Sequence, residues 1–133
     1  MNLYSLSRSR RPVWLLAAAL AALAACDSSQ PKPAVGGGAI PVELQAGEAK
    51  FNANCSACHG AQGAGTGQGP PLVHKIYEPN HHGDAAFQRA AANGVKAHHW
   101  EFGNMPSIPG VSAADVDQIT QYIRWLQKQA GIF

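Results

Sequence analysis

Two short stretches concentrate the side chains able to do chemistry. "CSACH" (residues 55–59) holds two thiols three residues apart, followed at once by an imidazole. "HHWEFGNMP" (residues 98–106) holds two more imidazoles, an indole and Met105, the only methionine besides Met1. A Cys-x-x-Cys pair in an exported chain admits three readings: a disulfide, a metal site, or thioether attachment of a c-type haem.

The histidine directly after the second cysteine separates them. Two thiols at this spacing add across the two vinyl groups of one haem, and the adjacent imidazole lies under the iron as proximal ligand. A thioredoxin-like redox pair wants a βαβ setting, and no alternating β-branched strands follow the N-terminal leader. A structural zinc site needs two further ligands at ordinary spacing, which only distant histidines supply. The motif therefore favours Cys55 and Cys58 as covalent attachment points for one haem c, with His59 on its iron.

Export itself is read from the N-terminus. Arg8, Arg10 and Arg11 precede an apolar run, Val13 to Ala25, that is short for a membrane span of about 20 residues but right for a signal h-region. The run ends in "LAAC", which resembles a bacterial lipobox, so residues 1–25 are expected to be a lipoprotein signal peptide and Cys26 the lipidated first residue. Asp27 then points to the inner membrane. Residues 26–40 are small, polar and rich in Pro and Gly, and read as a tether of about 20 Å r.m.s. span. Residues 41–133 remain for one domain at the periplasmic face of the membrane. Without the leader, 7 Lys+Arg stand against 8 Asp+Glu, and no basic cluster remains to bind nucleic acid.

From about residue 42 to 133 the chain resembles a small class I cytochrome c. Gly47, Phe51 and Cys55 stand four apart, as in the family's Gly-xxx-Phe-xxx-Cys-xx-Cys-His opening, and the spacing of four puts Gly47 and Phe51 on one helical face. The resemblance implies an all-α fold in which the N- and C-terminal helices cross at Gly47 and loops enclose the haem. In the C-terminal helix, Ser112 is the expected N-cap with Asp115 three residues on. Val116, Ile119, Tyr122, Ile123 and Leu126 form its apolar stripe, and Trp125 stands beside it. A further short helix is expected from Asp84, as N-cap, to Asn93, with Phe87, Ala90 and Ala91 inward and Gly94 as a left-handed stop.

Between the haem motif and that helix, "GPPL" resembles the family segment in which a proline carbonyl accepts the proximal imidazole N–H and a leucine packs on the haem. Pro70 and Leu72 take those places, although a plain turn is the other reading of a Gly-Pro pair. The aperiodic segment from residue 95 to 111 is long for a connection, and long ordered loops are usually functional. In the resembled family this loop delivers an axial methionine before a proline, which makes Met105 the sixth iron ligand. His98 and His99, with the similar pair His81 and His82, compete for that role, or decorate the surface, or form a second metal site for copper or zinc. Trp100 and Tyr77 are placed to reach a haem propionate or simply to pack.

The expected function is single-electron transfer by a protein that is not itself an enzyme but is able to serve as a subunit of an oxidoreductase complex. A quinol-oxidising complex, a dehydrogenase or a terminal oxidase would be its partner. Two alternatives stay open: a haem-based sensor or small haem enzyme with an open sixth position, and a copper-binding lipoprotein built on the histidine pairs.

Overall fold

A computed structural model describes residues 38–133. The signal peptide, Cys26 and all but the last residues of the tether lie outside the described residues. Ile40, at the tether's expected end, already packs against the core.

Four α-helices follow a 3-10 turn at Val42–Leu44: α1 (Gln45–Asn54), α2 (Ser56–His59), α3 (Asp84–Asn93) and α4 (Ala113–Gln129). Among the described residues no strand forms; Val95 and Met105 make one isolated antiparallel bridge. The Gly-rich segment after α2 contains two more 3-10 turns, Ala61–Gly63 and Lys75–Tyr77, within a stretch the sequence marks only as irregular.

The frame is the crossing of α1 on α4. In α1 only Gly47 and Phe51 are buried, and they are the two residues that the spacing of four puts on one face. A Cβ at Gly47 would overlap the backbone oxygen of Gln118 and crowd Tyr122, so the helices approach as closely as they do because glycine stands there. Phe51 meets the Tyr122 ring at 5.8 Å between centroids, tilted by 52°. Phe51, Tyr122, Ile123 and Leu126 are fully buried, each side chain contributing roughly 1.5–3 kcal/mol by leaving water. Trp125 is half-buried and stacks on Tyr122 at 6.4 Å.

The N-terminus of α4 is closed as the sequence predicts. The Ser112 hydroxyl accepts from the Asp115 N–H, and the Asp115 carboxylate accepts from the Ser112 N–H at 3.0 Å. Lys50 on α1 reaches across to the same carboxylate at 2.6 Å and to the Gln118 side chain at 2.6 Å.

Two expectations for α3 need correction. The N-cap is Gly83, not Asp84; Asp84 is the first helical residue, and its carboxylate accepts from Arg124 Nε at 2.8 Å instead of from the helix's own N–H groups. An acid in the first turn still complements the helix dipole, so the exchange keeps the electrostatic benefit. Gly94 has the positive φ, 75°, that favours glycine, but its ψ of −178° is extended, so the chain leaves straight rather than turning back as a left-handed stop. Val95 then bridges to Met105, and a Cβ at Gly94 would lie 2.5 Å from the Met105 carbonyl oxygen, so glycine is required there. Phe87, Ala90 and Ala91 face inward as expected, though only half-buried.

Candidate metal centre

The end of α1 and the turn of α2 present the first chemical groups. The chain breaks at Cys55, and the His59 N–H rejoins the Cys55 carbonyl at 2.9 Å, so Cys55 and His59 stand one turn apart on the same face. Cys55 is half-buried and Cys58 exposed, and both are free thiols. Burial, with the Cys58 thiol adding to it, pushes the Cys55 thiol up to about 11.

His59 is buried, and its Nδ1 lies 2.8 Å from the carbonyl oxygen of Pro70. A carbonyl only accepts, so Nδ1 carries the proton and Nε2 is left as the lone-pair nitrogen. Burial lowers the imidazole below its ordinary range, partly opposed by the Pro70 bond, and so favours the neutral ring that a metal requires. Pro70 is the first proline of "GPPL", and Leu72, from the same segment, is buried in the core cluster.

Cys55, His59, Pro70, Leu72 and Met105 line one cavity of about 600 Å³, within the range of about 300–1,000 Å³ that suits a cofactor. Met105 is held there from both sides of its backbone: its N–H donates to Val95 at 3.0 Å and its carbonyl accepts from Val95 at 2.9 Å. Asn104 Oδ1 accepts from the Ala97 N–H at 2.9 Å, and Ile108 N–H reaches the Ala91 carbonyl at 2.8 Å, tying the loop to α3. Cys58 is not part of the lining. Apolar walls come from α3 through Phe87 and Ala90, from α4 through Val116 and Ile119, and from Ile108 and Val111 in the loop. The last two carry no periodic signal, and the sequence gives no hint of them.

The donor set fits a c-type haem on grounds internal to this structure. Cys55 and His59 share the wall with a thioether, most of the remaining lining is apolar, and Trp100 on the same wall keeps its indole N–H buried with no partner among the described residues. A buried orphan donor beside a cofactor-sized cavity suits an anionic substituent such as a propionate. Cys55 and Cys58 would hold the haem covalently, with His59 on its iron.

Of the competing histidines, His82, His98 and His99 also line the cavity, and His81 stands just outside it with Nε2 3.2 Å from Nε2 of His99. The two pairs, 17 positions apart in sequence, are brought together in one cluster. His74 is separate; it makes an edge contact with Trp100 at 5.1 Å and accepts the Ile76 N–H.

A buried polar group that sequence reasoning missed closes the floor beneath the loops. Arg124, only 8% exposed, donates to Asp84, to the carbonyls of Tyr77 and His82, and to Gln127 Oε1 at 2.7 Å. Gln127, fully buried, donates in turn to the Leu72 carbonyl at 2.8 Å and the Tyr77 carbonyl at 3.1 Å. Thr120, Arg124 and Gln127 recur at helical spacing; Thr120 donates to the Val116 carbonyl of its own helix, and the irregular loops supply carbonyl acceptors for Arg124 and Gln127.

No curated protein and no solved structure matches the chain. Residues 44–127 match the family model for cytochrome c, which is more than half of the chain. With the Cys55–His59 motif, the Pro70 bond and the cavity in place, the chain belongs to the cytochrome c family, whose members carry covalent haem c and transfer electrons.

Proposed function

We propose that this cytochrome relays single electrons with His59 and Met105 as the two axial ligands of its iron. One observation carries the reading: Met105 lines the same cavity as a His59 whose Nδ1 is already engaged by Pro70, leaving Nε2 as the coordinating nitrogen. Haem supplies a one-electron Fe(III)/Fe(II) couple when bound. The chain's own residues set its terms. Pro70 fixes the tautomer and orientation of His59 and raises its basicity. The Met105 thioether, a soft ligand, favours the reduced ion and fills the sixth position against other ligands. Phe87, Ile108, Val111, Val116 and Ile119 give the site apolar walls.

In this reading a lipid on Cys26 and the tether of residues 26–40 hold the domain at the periplasmic face of a bacterial membrane, the inner one. There it exchanges electrons with a quinol-oxidising complex, a dehydrogenase or a terminal oxidase through small, weak contacts, below about 1,200 Å² in total.

The absorption spectrum of the purified oxidised protein tests the ligation. A weak long-wavelength band from sulfur bound to ferric haem is expected in the wild type and absent in Met105→Ala. Its absence from the wild type would overturn the assignment. One observation favours a second reading, a sensor or small haem enzyme with an open sixth position: His82, His98 and His99 share the cavity wall with Met105. Binding of carbon monoxide by the reduced wild-type protein would favour that reading; resistance supports the relay.

A further inference from the structure

The four histidines outside the haem motif are arranged in a way that the electron-relay reading does not use. His81 and His82 close the turn before α3, and His98 and His99 open the methionine loop. Their rings meet at centroid distances of 4.7 Å for His81 and His82, 5.1 Å for His81 and His99, 5.1 Å for His82 and His99, and 4.3 Å for His98 and His99. Each of His81, His82 and His99 offers one ligating nitrogen, and those three atoms lie within 4.8 Å of one another.

Of these three, His82 has its other ring nitrogen already committed. His82 Nδ1 lies 2.7 Å from the Ile76 carbonyl, which makes it the N–H and leaves Nε2 as the lone-pair atom. A backbone carbonyl on the far nitrogen is the usual partner of a metal-bound imidazole. His98 repeats the pattern, with Nδ1 2.8 Å from the Lys96 carbonyl. Nε2 of His81 faces Nε2 of His99 at 3.2 Å. Two imidazoles bound to one tetrahedral ion at about 2.0–2.1 Å place their nitrogens about 3.3 Å apart, so this separation is the edge such a site needs. Neither ion pair found among the described residues engages a histidine. Partial desolvation of His99, with the nearby His98, His82 and His81 adding to it, lowers its pKa and favours the neutral, ligating form.

We propose that His81, His82 and His99 bind one imidazole-seeking divalent transition ion, Cu(II) or Zn(II), at a site separate from the haem iron. The fourth position is left to water or to His98, whose ring lies 4.3 Å from that of His99. Three neutral imidazoles suit both ions, with Cu(II) held more tightly. The ion ties the turn carrying His81 and His82 to the loop carrying Met105, two segments that frame the mouth of the same cavity. The inference rests on the reading in which Met105, and none of these three histidines, takes the sixth position on the haem iron.

The test uses the haem-loaded protein, titrated separately with Cu(II) and Zn(II) against a competing chelator. One ion per chain is expected, with a Cu(II) paramagnetic resonance spectrum showing coupling to several nitrogens. Zn(II) is expected to slow amide exchange at residues 95–104. In His81→Ala, which removes the one ligand standing outside the haem cavity, the affinity should fall by about 100-fold or more while the haem spectrum is unchanged, which separates loss of the site from loss of the fold. Binding of equal strength in the variant, or no stoichiometric binding in the wild type, would overturn the proposal and leave the His81–His99 contact as an ordinary hydrogen bond.

Discussion

Tyr122 shows how unequal two atoms of one residue can be. Its ring is fully buried against Phe51, while its hydroxyl is buried with no partner among the described residues, and burial, with Glu48 adding to it, pushes its pKa up to about 12. A buried hydroxyl without a bond costs about 1–3 kcal/mol, so Tyr122→Phe is expected to leave stability within about 0.5 kcal/mol of wild type or to raise it. Phe51→Ala, which empties the facing position, should cost about 3–5 kcal/mol. Denaturant titration of the two variants decides the matter, and a loss of about 1 kcal/mol or more in Tyr122→Phe would mean that the hydroxyl is bonded after all. At this scale the site was the most legible part of the sequence. Cys55, Cys58 and His59 are adjacent, so their chemistry is written in consecutive letters, and Pro70 and Met105 carry recognisable neighbours. Arg124 was illegible for the opposite reason. Two of its acceptors are the backbone carbonyls of Tyr77 and His82, and no residue type advertises a carbonyl.

The helices were legible through spacing, and their ends through caps, but only where the cap is local. Ser112 and Asp115 close α4 on each other within four residues, and the prediction matched; Asp84 was drawn off by Arg124, 40 positions away, and the expected cap of α3 moved to Gly83. Lys50 and Ser112 together hold the Asp115 carboxyl down to about 2. A carboxylate depressed in the folded state stabilises above its unfolded pKa of about 3.9 and loses that contribution as pH falls through about 2. The difference in melting temperature between wild type and Asp115→Asn should therefore be constant above about pH 5 and shrink toward zero near pH 2. A difference independent of pH would show that the charge does not matter. Gly47 poses the sharper test of the crossing. Alanine gains about 1 kcal/mol of helix propensity, but its Cβ would meet the backbone of Gln118, which no rotamer change can move. Overpacking of about 1–3 kcal/mol or more should win, so Gly47→Ala is expected to lower the denaturation midpoint. A rise would mean that the helices separate at little cost.

Across the whole molecule, Arg124 does what the apolar stripe of α4 cannot. The core of the α1–α4 crossing is apolar packing, whereas between α4 and the loops the apolar contact of Leu72 is joined by a set of buried hydrogen bonds. One guanidinium engages α3 through Asp84, the turn before α3 through the Tyr77 and His82 carbonyls, and α4 through Gln127, with the Phe87 ring 5.0 Å from its carbon. The turn it anchors ends in His81 and His82, and the helix it anchors lines the cavity with Phe87. Removing the charge leaves the acceptors of three elements unpaired, so Arg124→Met is expected to destabilise by about 3–5 kcal/mol. Lysine retains the charge but offers three donors from one point, not a planar fork, and cannot meet acceptors arranged around Nε and both terminal nitrogens. Arg124→Lys should therefore recover only part of the loss. Denaturant unfolding of the haem-loaded variants, read both at the haem band and in the far ultraviolet, separates the outcomes. Coincident transitions at a lower midpoint are expected if Arg124 binds the loops into the same cooperative unit as the helix crossing. A haem-band transition that precedes an unshifted helical one would show that the cavity wall opens on its own, with α1 and α4 standing without it.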